Sequence, residues 1–193
     1  MDKKSFIVVQ GPMDYFKQVK ESYVDFENVI YSGWKTDLNT IKDEKYFIIN
    51  KKPLTRGHLN INLQVKSSSA GIKLTLKLGA THVLKVRSDM VFSDIKLLLS
   101  LCDDSSVYFP AVCTNTKESY YIDYFQYAPI ETMIKLWSIP MKFKQFSKMY
   151  PEFYITNHFI KNVKNVNVKY LYPICKEHNI KCFWLKRGGG GHI

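Results

Sequence analysis

Arginine is scarce in this chain. Of 28 basic residues among 193, only Arg56, Arg87 and Arg187 carry a guanidinium; the rest are Lys. Acids are few as well, 17 in all, which leaves a formal charge of +11. That excess, with 13 Tyr and 12 Phe, raises the alternative of a nucleic-acid-binding module. The lysines, however, are dispersed from Lys3 to Lys186 without a dense block, and the guanidinium forks that read bases and phosphates are few, so no nucleic-acid partner is expected. Long hydrophobic runs are lacking too. Ile95 to Leu101 falls short of the roughly 18–20 residues of a membrane span. Phe6 to Val9, closed by Gln10 and Gly11, is too short for the core of a signal peptide. Cys102, Cys113, Cys175 and Cys182 form no Cys-x-x-Cys pair, which fits reduced thiols. A zinc site drawn from Cys175, His178, Cys182 and His192 matches no common spacing. The expectation is a soluble, cytoplasmic protein without an integral membrane segment, at most peripheral to a membrane or assembly site.

What is present is ordinary globular material, 46% hydrophobic and 23% charged, at a length that fits one domain. The first half alternates. Phe6 to Val9 reads as a buried strand stopped by Gln10-Gly11-Pro12. Asp14 offers an N-cap for a helix carrying Tyr15, Val19, Tyr23 and Phe26 on one face. Val29 to Tyr31, ending at Ser32-Gly33-Trp34, and Tyr46 to Ile49 read as strands. The apolar residues of Lys66 to Gly79 alternate like a strand, but Ser67-Ser68-Ser69 as caps, Gly79 as a stop and the length of the run predict a helix. His82 to Val86 is a strand leading into Arg87-Ser88-Asp89. Ser93 and Asp94 cap a helix with Ile95, Leu98, Leu99 and Cys102 on one face, and Val107 to Val112 is the next strand. Later helices are expected at Ile130 to Trp137 and around Tyr154 to Val163, strands at Val168 to Tyr172 and Ile180 to Leu185, and loops or lids at Thr114 to Ser119 and Pro140 to Pro151. Strand–helix–strand order predicts an α/β fold whose central sheet is mostly parallel and flanked by helices.

In such sheets ligands bind beyond the carboxyl ends of the strands. The residues there are Gln10, Gly11 and Pro12, then Ser32, Gly33 and Trp34, then Arg87, Ser88 and Asp89. Gly11 allows backbone to approach a ligand closely, or simply makes a turn. Trp34 is either a platform for a base or a core aromatic. Asp89 either holds a hard divalent cation that neutralises a diphosphate, with Lys85 or Arg87 as auxiliary charge, or closes the strand in an Arg87–Asp89 pair.

The stretches Asn60-Ile61-Asn62-Leu63-Gln64-Val65, Ser68-Ser69-Ala70-Gly71-Ile72-Lys73 and Leu78-Gly79-Ala80-Thr81-His82-Val83-Leu84-Lys85-Val86-Arg87-Ser88-Asp89-Met90 resemble the core block of the WavE-type lipopolysaccharide-synthesis family. Val8 to Pro12, Ser32-Gly33-Trp34, Ile122 to Phe125 with Met133 to Trp137, and Pro151 to Ile155 are similar to it in order. The resemblance implies a single GT-A-like, Rossmann-related domain, with residues 1–112 as the nucleotide-sugar-binding half and 113–187 as the acceptor-side half; the glycine run Gly188 to Gly191 makes 188–193 a flexible tail by composition. It implies a glycosyltransferase that takes sugar from a nucleotide diphosphate donor to a glycan or other hydroxyl acceptor. Gln10, Gly11, Pro12, Trp34, Gln64, Lys85, Arg87 and Asp89 would meet the donor. Arg87-Ser88-Asp89 stands where the family type has an Asp-x-Asp metal motif. Arg87 replaces the first Asp, so the requirement for Mn²⁺ or Mg²⁺ stays open, with Asp89 and His192 as candidate ligands. An inverting transfer needs a carboxylate base, for which Asp123 and Glu152 are the candidates; each also suits a helix start, as cap or as first-turn acid. A non-catalytic GT-A-like interaction domain is the remaining alternative.

Overall fold

A computed structural model describes residues 3–114, 119–141 and 150–185, together with the backbone of 191–192. In chain order the elements begin β1 (Ser5–Gln10), α1 (Phe16–Ser22), β2 (Val29–Trp34), α2 (Leu38–Ile41), β3 (Phe47–Asn50), α3 (Ile61–Lys77), β4 (His82–Arg87), β5 (Met90–Phe92) and α4 (Ile95–Ser100). They continue with β6 (Val107–Phe109), β7 (Val112–Thr114), β8 (Ser119–Tyr121), β9 (Phe125–Pro129), α5 (Ile130–Trp137), α6 (Pro151–Asn162), β10 (Val168–Tyr170), α7 (Leu171–Glu177), β11 (Cys182–Trp184) and β12 (Gly191–His192). Seven strands form the central sheet in the order β10-β6-β9-β4-β1-β2-β3, flanked by helices on both faces. All its pairings are parallel except those of β9, which runs against β4 and β6. The chain is thus an α/β protein with a mostly parallel central sheet.

Alternation along β1 divides the core. Ile7 and Val9 face the cluster built with α1, α4 and α7, whereas Phe6 and Val8 face the one built with α3, α5 and α6. The short run Phe6–Val9 is buried on both sides, as a central parallel strand must be. Helix α3 lies unusually close to the sheet at Gly71, where an added Cβ would fall 2.3 Å from Val8 Cγ1.

The expected elements mostly form, with corrections at their edges. Helix α3 begins at Ile61, six residues before the serines expected to cap it. Ser67 and Ser68 are buried in its interior, and the Ser67 hydroxyl bonds back to the carbonyl of Leu63 at 3.0 Å. Gly79 does end the helix, at φ +75°. Strand β2 runs on through Ser32, Gly33 and Trp34 instead of stopping there. Asp14 is not the cap of α1, whose N-cap is Tyr15 without a side-chain bond, but Asp94 caps α4 by accepting from the Leu97 amide at 2.8 Å. The strand expected over Val107 to Val112 breaks at Pro110, a residue with no amide to pair. Tyr172, placed in a strand by its sequence, belongs to α7. The expected loops at Thr114 to Ser119 and Pro140 to Pro151 fall largely outside the described residues. No described helix is long and apolar enough to cross a membrane.

Candidate functional site

A cleft of about 300 Å³ opens at the carboxyl edge of β1, β2 and β4, against the first turns of α3. Seven of the sequence candidates line it: Gln10, Gly11, Pro12, Trp34, Gln64, Arg87 and Asp89. They converge because β1, β2 and β4 are parallel neighbours in register, Gln10 pairing with both Ser32 and Arg87. Gly11 turns the chain at φ +120°, and a Cβ there would meet Ser88 Oγ at 2.8 Å, so glycine keeps the floor open. Trp34 is almost wholly buried yet still forms part of the wall. Ser67 Oγ donates to Gln10 Oε1 at 2.8 Å and ties α3 to the end of β1. Ser88, between Arg87 and Asp89 at the strand end, lines the cleft as well, and so do Asp14, Tyr15, Asn60, Leu63 and Ser67, which were not foreseen as ligand contacts. Asn60 and Leu63 had a signal, since they belong to the helix turn that holds Gln64.

Arg87 and Asp89 form a bidentate pair. The guanidinium donates from Nε to Asp89 Oδ1 at 2.9 Å and from Nη2 to Oδ2 at 2.8 Å. It also lies over the Trp184 ring at 4.9 Å and the Tyr124 ring at 5.8 Å. Burial opposes the Arg87 charge, but the bonds to Asp89 outweigh it and the Arg87 pKa is raised. Both carboxylate oxygens that a cation would use are therefore engaged. Among the described residues no group of three His, Cys, Asp or Glu side chains converges, so neither the Asp89 site nor the cysteines and His178 assemble a metal-ligand set. The side chain of His192 lies outside what is described.

Lys85 does not reach the cleft. It follows Val83 on the α3 face, is completely buried, and donates to the carbonyl of Asp123 at 2.7 Å with its Nζ 4.7 Å from the Trp137 ring centroid. Position along the strand explains the difference: Lys85 lies two residues inside β4, within the packed layer, and only Arg87 stands at its end. Desolvation lowers the Lys85 pKa to about 7, partly offset by the charge of Asp123.

The candidate bases arrive from the other side. Because β9 is antiparallel, the segment before it, not after it, lies at the carboxyl edge of its neighbours, and this brings Asp123 to the site. Asp123 is 2% exposed and its Oδ2 accepts from Gln64 Nε2. Glu152, in the first turn of α6 behind Pro151, is half-buried. Desolvation raises its pKa, and the charge of Asp123 adds to the rise. Tyr120 and Phe153 pack with ring centroids 4.5 Å apart beside it, whereas Tyr121 stacks on Phe109 inside the core. Neither acid is part of the cleft wall itself, but Gln64, which is, bonds Asp123.

No protein-family model matches the sequence, and no curated protein does. Solved structures do resemble it. A glycosyltransferase involved in the glycosylation of the major capsid of PBCV-1 superposes with a TM-score of 0.51 at 12% identity, covering 90% of this chain and 89% of that one. HddC from Yersinia pseudotuberculosis, complexed with GMP-PN, gives 0.47 at 15% identity over 82% and 97% of the two chains. Mannose-1-phosphate geranyltransferase from Thermus thermophilus gives 0.49 at 9% identity over 86% and 74%. Of these, the first-named glycosyltransferase bears on the architecture: the fold is of the glycosyltransferase type.

Proposed function

We propose that the protein is a glycosyltransferase that takes its sugar from a nucleotide diphosphate donor and passes it to a hydroxyl of a glycan or other acceptor. The observation that carries this reading is the gathering of Gln10, Gly11, Trp34, Gln64 and Arg87 around one cleft at the carboxyl edge of a glycosyltransferase-type sheet. The fold alone does not fix a reaction. A cleft with a glycine floor, an aromatic wall and a guanidinium suits a nucleoside diphosphate, and the resemblance to the WavE-type family points the same way.

In the transfer the bond from the anomeric carbon to the diphosphate oxygen breaks, and a bond to the acceptor oxygen forms. Negative charge collects on the departing diphosphate and needs a fixed positive partner. Arg87 supplies it. Two of its five N–H donors are used on Asp89, and the others remain for phosphate oxygens. Asp89 holds the guanidinium at the angle the aromatic rings already favour. Glu152 takes the acceptor's proton: it is more accessible than Asp123, and burial, by raising its pKa, strengthens it as a base. Asp123, held by Gln64 and by Lys85 through its carbonyl, supplies the neighbouring charge that helps raise it. No step is routed through a divalent cation, since the donors found do not fit one.

The test is turnover, including donor hydrolysis, across a panel of nucleotide diphosphate sugars. Transfer or hydrolysis of one donor, lost in Arg87→Ala, supports the reading. If no donor binds or turns over, the non-catalytic interaction domain becomes the better description.

A further inference from the structure

The loop between β3 and α3 has no part in the chemistry proposed above. It reads Lys51-Lys52-Pro53-Leu54-Thr55-Arg56-Gly57, and Leu54 at its tip is 91% exposed, more than any other large hydrophobic side chain among the described residues. A single exposed leucine is unremarkable. This one stands in a stretch with further exposed apolar groups: Leu59, five residues on, is 56% exposed, and Tyr150, 58% exposed, places its ring 6.3 Å from that of His58. Lys51, Lys52 and Arg56 are exposed around the tip, and Lys66 stands on the adjoining face of α3. Among the described residues none of these four cations is in an ion pair. A second cavity of about 220 Å³ lies beneath, lined by Lys51, Lys52, Lys66, Pro53, Leu54 and Met141 among others, and by no acid.

The loop is pinned, so the exposure of Leu54 is not looseness. The Asn62 amide donates to the carbonyl of Arg56 at 3.0 Å, and Asn62 Nδ2 donates to the carbonyl and the hydroxyl of Thr55 at 3.2 and 3.1 Å. Gly57, Leu59 and Asn60 all have positive φ, at 70°, 46° and 66°. For a leucine that conformation is uncommon, and it is held here by the structure around it.

We propose that this loop docks the protein on an anionic lipid bilayer, with Leu54 entering the boundary between headgroups and acyl chains and Lys51, Lys52, Arg56 and Lys66 facing the headgroups. Charge complementarity selects this occupant: four uncompensated cations around a small apolar tip match a negatively charged leaflet. Lysine suits such a boundary, since its stem can lie along apolar surface while the ammonium group reaches the headgroups. A nucleic acid would use the cations but not Leu54. The first turns of α3 separate the two cavities, Leu59 and Asn60 facing the cleft while Asn62 and Lys66 face the basic one. Docking would therefore hold the mouth of the cleft at the lipid surface, where an acceptor borne on a lipid is within reach.

The experiment is flotation of the full chain with vesicles of phosphatidylcholine alone and of phosphatidylcholine mixed with phosphatidylglycerol. Its readout is partitioning, independent of whether the cleft turns over a donor. Binding to the anionic vesicles alone, weakened by salt, is expected. The double variant Lys51→Glu/Lys52→Glu should weaken it roughly tenfold or more. Leu54→Ser should weaken it roughly threefold or more. Both variants change exposed side chains, and unaltered circular dichroism spectra would show that they fold. No binding, equal binding to neutral vesicles, or wild-type binding by either variant would overturn the proposal. Oligonucleotide binding weakened by Lys51→Glu/Lys52→Glu but not by Leu54→Ser, together with vesicle binding equally indifferent to Leu54→Ser, would overturn it too, assigning the patch to a polyanion in solution.

Discussion

Arg87 grips both carboxylate oxygens of Asp89, two residues further along the chain, at 2.9 and 2.8 Å. The pair separates two roles for Asp89. If the carboxylate only orients the guanidinium, Asp89→Asn keeps one acceptor oxygen, and affinity for a nucleoside diphosphate changes by no more than about threefold. Arg87→Ala removes a charge-assisted contact and costs roughly tenfold or more. Calorimetric titration of both variants, with and without a chelator, checks this. A loss in Asp89→Asn that matches Arg87→Ala, or a loss on chelation, would return Asp89 to the role of metal ligand.

Glu152 must be ionised to accept a proton, and burial together with Asp123 raises its pKa. Transfer should therefore fall as pH drops through that raised value, at a higher pH than an ordinary glutamate would give. Glu152→Gln should lower kcat roughly 100-fold or more at all pH values. Asp123→Asn removes the like charge and should move the acid limb to lower pH. A pH–rate profile of the three proteins separates base from neighbour; an unshifted limb in Asp123→Asn argues against their coupling.

Lys85 makes stability depend on pH. Its pKa falls from 10.5 in the unfolded chain to about 7 when folded, so between those values the unfolded state binds more protons. Stability then rises with pH across that window, and the penalty is greatest below pH 7. The buried thiols act in the opposite sense only near and above their ordinary value of 9.0. Denaturant melts from pH 7 to about 9 should show a rising midpoint in the wild type and a flatter one in Lys85→Met. Equal slopes would mean that the lysine is not buried as described.

Gly71 tests the seating of α3. Alanine favours a helix by up to about 1 kcal/mol over glycine. Here its methyl would lie 2.3 Å from Val8 Cγ1, in the centre of a sheet that cannot yield easily. Gly71→Ala should thus destabilise by about 1–3 kcal/mol, against its propensity. An equilibrium urea melt measures it, and a stabilised variant would refute the close approach.

Much of this was legible in the residues. The parallel half of the sheet followed from short apolar runs stopped by Gly, Pro and polar residues, and the cleft from the rule that ligands lie where such strands end. Less visible was anything that depends on a partner far away in sequence. The serines of α3 look like a cap until Gln10 is placed beside them. Lys85 and Arg87 look equivalent until the strand end is located. Strand β9, Phe125–Pro129, passed unnoticed because its run of Gln, Tyr and Ala carries little of the β-branched signal, and its place depends on strands on either side.

The reversed strand also affects how the chain assembles. Strands β1 to β4 and helix α3 emerge first and can close on one another, leaving β4 as an edge. Strand β6 is the next of the central sheet to leave the ribosome, yet the position beside β4 belongs to β9, which follows it in the chain. During synthesis that edge must stay unpaired, or pair wrongly and be released, until β9 inserts and carries β6 and β10 into place. The polar layer around Lys85 is then sealed in the last stage of folding, so its burial penalty falls on a late step.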